Sequence, residues 1–530
     1  MSNEYMIGID LGTTYSCLAY IDEEGDPVVE KNFEQEDTTP SVILFNENGE
    51  IIVGSPAKDM AIMYPLERVV TAIKRQIGTD YEVDIDGDKY TPITLSAAIL
   101  RKMINDFNDN HGVEVKRAVI TCPAYFGQNE RDATKAAGKV AGLEDVTIIN
   151  EPTAAAISFG FGSGEGKKRV MIYDLGGGTF DVTVLEIDGN AFTAVATDGE
   201  RLLGGKDWDA VLIKIIKQKV CEENDIDPSE LEEDDDVKQN LILDSETIKK
   251  RLSSAESTKG TLTVGGKKAV YTITRAEFEA ATAPLMQTTL DIIDRVLAAK
   301  GFGITDIEDI ILVGGSSRMP QVKNGINQKY PDASVKVFDP DQSIAKGAAI
   351  FANARDWTPA ENTVAAAVAA AEAPPVAPKE GEITVHNVLS KSFGIKAMYD
   401  DGKEMISNII YRNEVLPIVA NKTYFPIDDG QTSIKVEIYE NSASNNEEGR
   451  RIEIIDGYSV GEFEMDLPEG VTRSTPITVK FVATDEGILV SHVDCMSQHT
   501  EYQLQNKLQM SDADIKTSQG LMEKVTKGNN

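Results

Sequence analysis

The sequence predicts a multidomain chain: an α/β part built from two similar halves, followed by a smaller all-β sandwich. Three observations predict it. Two Asp-Leu-Gly hairpins, Gly8-Ile9-Asp10-Leu11-Gly12-Thr13-Thr14-Tyr15-Ser16 and Tyr173-Asp174-Leu175-Gly176-Gly177-Gly178-Thr179-Phe180-Asp181, repeat the order strand, Asp, Gly, Thr, strand. From Met1 to about Asn353, short apolar strands alternate with helical stretches, the pattern of an α/β architecture. Beyond Ile383 the apolar period falls to two and no helices intervene. At 530 residues the chain is too long for one ordinary domain and suggests about three folding units.

In each hairpin an apolar run (Tyr5 to Ile9, Val170 to Tyr173) enters an Asp and a Gly-rich turn, and a β-rich run follows (Ser16 to Ile21, Val182 to Ile187). Glycines let backbone N–H groups crowd around a phosphate. Thr13, Thr14 and Thr179 add hydroxyl donors, and Asp10 with Asp174 can hold a hydrated Mg²⁺ between them. Two such tips facing each other would clamp a nucleoside triphosphate. Neither copy fits the Walker pattern or the dinucleotide fingerprint, which needs a helix directly after the turn. Helical patterning follows over Leu95 to His111, Arg131 to Ala141, Trp208 to Glu223 and Phe278 to Lys300. The acidic stretch Asp225 to Asp236 reads as a solvated loop or helix face. An Ala run and then Pro374-Pro375-Val376-Ala377-Pro378 reads as a short helix or linker. Alternation in Ser433 to Tyr439, Arg451 to Ile455, Gly461 to Leu467, Ile477 to Thr484 and Ile488 to Val493 predicts a sandwich of roughly 120 residues. Ser511 to Lys527 is helix-like, with Ser511 and Asp514 in capping positions. The expected units are 1–355, a linker 356–382, a sandwich 383–503 and a short helical remnant 504–530.

With 41% hydrophobic residues the chain can build real cores, while its net charge of −35 argues against nucleic-acid and anionic-membrane partners. Four cysteines, Cys17, Cys122, Cys221 and Cys495, form no CxxC pair, which points to a reducing compartment. No basic, apolar leader and no bilayer-length apolar stretch is present, so the expectation is a cytoplasmic protein.

Further segments converge on one family. These are Thr71-Ala72-Ile73-Lys74-Arg75-Gln76-Ile77-Gly78, Cys122-Pro123-Ala124-Tyr125-Phe126 with Arg131, Asn150-Glu151-Pro152-Thr153-Ala154-Ala155-Ala156, Leu203-Gly204-Gly205-Lys206-Asp207-Trp208-Asp209, Val313-Gly314-Gly315-Ser316-Ser317-Arg318-Met319-Pro320, and Asp339-Pro340-Asp341 through Lys346-Gly347-Ala348-Ala349. In this order they resemble the 70-kDa heat-shock chaperone (DnaK-type) family from Tyr5 to about Phe351; Ile383 to about Val493 resembles its substrate-binding domain more loosely. The resemblance implies an actin-like (ribonuclease H-like) two-lobed ATPase with ATP or ADP and Mg²⁺, and K⁺ as a possible second ion, joined to a β-sandwich that grips extended peptide. Phosphoryl transfer to water needs positioning and charge stabilisation more than covalent chemistry. By the resemblance, Lys74 places the attacking water, Glu151 and Asp174 order water and metal, and Thr179 stands near the γ-phosphate. Gly12, Thr13, Thr14, Tyr15, Gly176, Gly177, Gly178, Gly204, Gly205, Gly314, Gly315, Ser316 and Asp341 complete the nucleotide site. Glu246, Lys249, Lys250 and Ser253 share one helix face toward ribose and base, and Arg318 covers the other face of the adenine. The family usually carries Arg at the place of Lys250, which weakens adenine stacking here. Pro123 and Arg131 match a relay between domains.

In the β-rich region, Asn413-Glu414-Val415-Leu416-Pro417, Gly461-Glu462-Phe463 and Gly487-Ile488-Leu489-Val490 match family landmarks. Counting from them, Ile434 lines a peptide pocket, Val436 neighbours it, and Tyr424, Ile427 and Met398 arch over it, selecting Leu- or Ile-rich unfolded segments. Two departures stand out: Ala- and Pro-rich sequence replaces a Leu-rich linker, which argues against docking on the ATPase domain through apolar Leu contacts, and the long helical lid is almost absent, which predicts fast peptide exchange. The leading expectation is an ATP-hydrolysing chaperone served by a J-domain partner and an exchange factor. The alternative is a nucleotide-binding regulator or exchange factor of a related chaperone, with the β-domain as docking module. A sugar or acetate kinase would share the paired hairpins but leaves the sandwich unexplained.

Overall fold

Each glycine hairpin sits at the centre of a six-stranded sheet in the computed structural model, which describes residues 5–527 apart from 161–165, 225, 356, 358–368, 370, 373–381, 444–450, 485–486, 488 and 505–509. The first sheet runs Asp145–Asn150, Arg117–Cys122, Ile7–Asp10, Tyr15–Ile21 and Pro27–Val29, with Thr39–Pro40 also paired to Tyr15–Ile21. The second runs Val335–Val337, Asp309–Val313, Lys167–Leu175, Phe180–Asp188, Ala191–Glu200 and Thr384–His386. The register is equivalent in the two hairpins: Asp10 faces Cys17 and Asp174 faces Asp181, each antiparallel. A parallel neighbour flanks each, Arg117–Cys122 in one sheet and Asp309–Val313 in the other. These strands are covered on both faces, so Val170, Met171, Ile172 and Tyr173 are all apolar and fully buried rather than alternating.

Helix Ser343–Ala354 joins the two halves by lying against strand Ile7–Asp10 and helix Glu151–Gly160. Its approach leaves no room for side chains: a Cβ on Gly347 would lie 1.7 Å from the Ala154 carbonyl oxygen, and one on Gly8 2.1 Å from the Ala349 nitrogen. The outer helices start at capping boxes, Thr91 with Thr94 for Pro92–His111 and Thr274 with Glu277 for Arg275–Lys300. The acidic stretch is helical, with Asp227 and Asp234 capping Pro228–Glu233 and Asp235–Ser254, where carboxylates meet unpaired N–H groups.

Two four-stranded antiparallel sheets make the sandwich. One runs Glu404–Ile410, Ser392–Met398, Ser433–Asn441, Tyr458–Asp466; the other runs Ile418–Tyr424, Ile477–Ala483, Leu489–Cys495, Gln498–Gln503. Ile410, Ile438, Val479, Phe481 and Val493 fill the space between them. The strand expected at Arg451–Ile455 does not form: Ile452 makes a single bridge to Ile406, a 3₁₀ turn over Ile454–Asp456 follows, and Ile455 is 86% exposed. A lone bridge cannot propagate, because the turn diverts the backbone before a second pair closes.

The two parts of the chain are docked. Thr384–His386 adds as a parallel edge strand to Ala191–Glu200, with Ile383 and Val385 packed beside Phe192 and Trp357. Asn413 Oδ1 accepts from the Thr197 N–H at 2.9 Å, Arg412 reaches the Thr197 carbonyl and Asp198, each at 3.2 Å, and Lys300 donates to the Asn413 carbonyl at 2.9 Å. Backbone pairing at a sheet edge needs only alternate apolar contacts, which Ile383 and Val385 supply in place of leucines. The Ala- and Pro-rich stretch lies mostly outside the described residues, as does the landmark Ile488. Of that stretch Ala371 packs on Val482 and Val490, and Glu372 pairs with Lys480 at 2.7 Å. At the other end, helix Asp512–Met522, capped by Ser511 and Asp514, lies on helix Gln128–Val140. Met522 and Val525 are buried in the first core, and the backbone bonds Ile51 N–H to Lys524 O (2.8 Å) and Thr526 N–H to Ile51 O (2.9 Å) fasten the tail.

Candidate nucleotide site

The two hairpin tips and helix Asp235–Ser254 enclose a cavity of about 430 Å³ between the two sheet units. Asp10, Gly12, Thr13, Thr14, Tyr15, Lys74, Glu151, Asp174, Gly176, Gly177, Thr179, Glu246, Lys249, Lys250, Ser253, Gly314, Gly315, Ser316, Arg318 and Asp341 all line it. Gly178, Gly204 and Gly205 stand behind the lining and shape it. The Gly205 N–H donates to the Gly176 carbonyl at 3.0 Å, and a Cβ on Gly204 would meet the Gly178 nitrogen at 2.6 Å. The tips approach so closely that a Cβ on Gly177 would lie 1.9 Å from Thr14 Oγ1.

Buried charge dominates the floor. Lys74, on the 3₁₀ turn Ile73–Gln76, is 5% exposed and pairs with Glu151 Oε1, itself 5% exposed. Asp10 accepts from Thr121 Oγ1 at 2.9 Å, and the buried Asp174 Oδ2 has no partner. Burial pushes the Glu151 carboxyl up to about 7, against the opposing pull of Lys74. Burial likewise raises Asp10, and it raises Asp174 well above the usual carboxylate range with help from Glu151 and Asp10. Burial works against the Lys74 ammonium too, but Glu151 and then Asp10 outweigh it and hold its pKa above the ordinary value. Three carboxylates share one ammonium here, and the orphaned Asp174 oxygen adds an open ligand position. Such a donor set fits a hard divalent cation, which takes carboxylate oxygens and water.

The rim is a charge network across the cleft. Tyr15 OH donates to Glu246 Oε1 at 2.9 Å; Lys58 reaches Tyr15 OH at 2.8 Å and Glu246 Oε2 at 2.7 Å; Lys250 reaches the same hydroxyl at 2.8 Å and Glu246 Oε1 at 2.7 Å. Although burial raises Glu246, Lys58 and Lys250 bring it down to about 2. Lys249 turns instead to Asp209 (2.7 Å) and the Gly205 carbonyl (2.8 Å), and Arg318 pairs with Asp341 at 2.5 Å. Lys58, Asp209 and Arg75 were not singled out from sequence. Arg75 holds the second tip, its Nε 2.9 Å from the Gly178 carbonyl and its guanidinium 2.5 Å from Asp207. Its place next to Lys74 was the available signal; Lys58 had none, being a single Lys on a short helix.

Arg131 lies outside the cavity, donating to Asn150 Oδ1 at 2.5 Å, and Asn150 donates onward to Asn387 Oδ1 at 3.0 Å, so a polar chain runs from the residue before Glu151 to the segment entering the sandwich. Pro123 is buried nearby, its carbonyl closing a turn with the Phe126 N–H at 3.2 Å. In the sandwich, Val436 is buried in the core and Ile434 borders it, whereas Met398 and Ile427 are about half exposed, at 48% and 52%. Tyr424 is tied to Ser407 Oγ at 3.1 Å.

The profile of the family described as "Hsp70 protein" matches residues 6–529. The chain is 37% identical over 497 residues to the "Chaperone protein DnaK" of Thermotoga petrophila, and equally to that of Thermotoga maritima, covering 92% of this chain and 77% of theirs. It is 36% identical over 500 residues to the "Chaperone protein DnaK" of Thermosipho melanesiensis.

Proposed function

Since the chain belongs to the Hsp70 family, it is an ATP hydrolase and an ATP-dependent chaperone of unfolded polypeptide, and we propose that the buried Lys74–Glu151 pair is the centre of its hydrolytic step. The observation that carries this is one buried ammonium held among Glu151, Asp10 and Asp174 on the floor of the cleft. Glu151, whose carboxyl burial raises above the usual carboxylate range, can accept a proton from a water, and Lys74 steadies the negative charge that develops beside it. Thr13, Thr14 and Thr179 donate to the phosphates, and the glycine tips admit them at backbone distance. Bound Mg²⁺ would neutralise phosphate charge, with Asp10 and Asp174 as its holders, largely through water; K⁺ is a second candidate ion. Glu246, Lys249, Lys250 and Ser253 face the ribose and base, with Arg318 opposite.

Client segments are extended and rich in Leu or Ile, taken at Ile434 and Val436 beneath Tyr424, Ile427 and Met398. The edge strand Thr384–His386 and the polar chain Arg131, Asn150, Asn387 support a link from the cleft to the sandwich. A J-domain partner would stimulate hydrolysis and an exchange factor would speed release. Four free cysteines suit a reducing cytoplasm, and no helix among the described residues is long and apolar enough to cross a membrane.

The deciding experiment is single-turnover hydrolysis by Lys74→Ala alongside nucleotide binding. Losing one positioned charge should slow hydrolysis about 100-fold or more while ATP still binds. Hydrolysis at the parental rate would remove Lys74 from the mechanism.

A further inference from the structure

Two of the chain's four histidines meet on one hairpin of the sandwich, formed by strands Leu489–Cys495 and Gln498–Gln503. The antiparallel register sets His492 opposite Glu501 and Asp494 opposite His499. Residues two apart on a strand share a face, so these four side chains stand on one side of the ribbon while Leu489, Val493 and Cys495 point into the core.

The ligand atoms of His492, His499 and Glu501 lie within 4.8 Å of one another. Ligands of a tetrahedral zinc bound at about 2.0–2.1 Å sit roughly 3.4 Å apart, so a closure of at most about 1.4 Å would seat the ion. Two details prepare the cluster. His499 Nδ1 lies 2.7 Å from Asp494 Oδ1, and donating there leaves Nε2 with the lone pair, the carboxylate–histidine arrangement that orients a ligating imidazole. His492 is 7% exposed, its Nδ1 stands 3.7 Å from Glu501 Oε2, and its buried Nε2 has no hydrogen-bond partner. Lys480 faces His492 from the neighbouring strand and is paired with Glu372 at 2.7 Å.

We propose that this face of the sandwich is a binding site for a divalent transition cation, Zn²⁺ in the first place. His492, His499 and Glu501 are the ligands, Asp494 is the orienting partner of His499, and water completes the coordination. Imidazole ligands select zinc-like ions over Mg²⁺ and Ca²⁺, which take all-oxygen sets. The site is therefore chemically distinct from the carboxylate floor of the nucleotide cleft. An ion here would pin the hairpin that carries Tyr502, whose ring stacks on Phe463 with centroids 4.6 Å apart.

The test uses the full chain, freed of metal with EDTA and titrated with Zn²⁺ against a chromogenic chelator in excess Mg²⁺ and without nucleotide. One equivalent should bind, and His499→Ala should weaken it by at least about 100-fold, beyond the ~10–100-fold typical of an outer-shell change. Its ATP turnover should match the parent's, which checks folding. Glu501→Gln should weaken binding as well, and Co²⁺ in the site should absorb in the visible without a thiolate charge-transfer band, separating the cluster from Cys221 and Cys495. Absence of a stoichiometric equivalent, or affinity unchanged in both His499→Ala and Glu501→Gln, would overturn the proposal.

Discussion

Two lysines from opposite sides of the cleft converge on the Tyr15 hydroxyl, since both Lys58 and Lys250 reach it at 2.8 Å. Glu246 completes the clasp, so opening the cleft must separate charges that are partly out of water. Lys58→Met should leave hydrolysis chemistry intact and speed ADP release about five- to tenfold, the equivalent of ~1–1.4 kcal/mol, the net worth of one typical hydrogen bond. Stopped-flow displacement of a fluorescent ADP measures it, and an unchanged rate would mean the clasp does not limit opening. Residues at this scale were legible where several neighbours named a turn, as with Asp10 through Tyr15 or Gly176 through Thr179. Lys58 was not, because its role comes from a partner 188 positions away and nothing local distinguishes it from a surface charge. Sequence also offered no ranking of Asp10, Glu151 and Asp174, whose raised pKa values come from burial.

Among the elements, the edge strand Thr384–His386 is the proposed link between the sandwich and the cleft. Val385→Asp places a charge against the Phe192 and Trp357 cluster and should undock the strand. Release of a fluorescent Leu-rich peptide should then proceed at one rate in ATP and ADP, whereas a persisting difference would show that coupling takes another route. A second contact adds a pH dependence. Glu440, on strand Ser433–Asn441, lies by Gly127 and Glu130 and is raised from 4.5 to about 7, first by burial and then by Glu130, with Lys391 opposing. Glu130 is itself held by Arg201 at 3.0 Å. Docking favours protonated Glu440, so its contribution is complete below about 4.5 and is lost as pH rises through about 7. Energy transfer between dyes on the sandwich and the ATPase sheets should fall from pH 5 to pH 8.5, and Glu440→Gln should flatten the response. A profile unaltered by that substitution would exclude Glu440 as the titrating group. Long helices were legible to within a few residues, because their apolar period and caps are local. Ser392–Met398 and Ile418–Tyr424 break the alternation because Met398 and Val419 face outward, and Glu404–Ile410 breaks it because Ile406, Ser407, Asn408, Ile409 and Ile410 are all buried.

Taken whole, the molecule carries a net charge of −35, which opposes the compact state through self-repulsion. Raising monovalent salt from 10 to 150 mM shortens the screening length from about 30 to about 8 Å. The thermal midpoint should therefore rise over that range, while association with a cationic peptide slows more than with a neutral one; a falling midpoint would show that attractive pairs dominate. The two-part plan was legible from the switch in apolar period, but docking was not, because it joins surfaces that no local pattern relates. The tail illustrates this: Gln519 Nε2 reaches the Lys139 carbonyl at 3.0 Å across 380 positions of sequence. Its burial also has a consequence in time. Val525 completes a core that begins at Ile7, and a ribosome adding about 5–20 residues per second needs roughly 25–100 s to travel between them. During that interval the nascent chaperone displays, beside Ile51, the kind of unsatisfied apolar surface that it exists to cover on others.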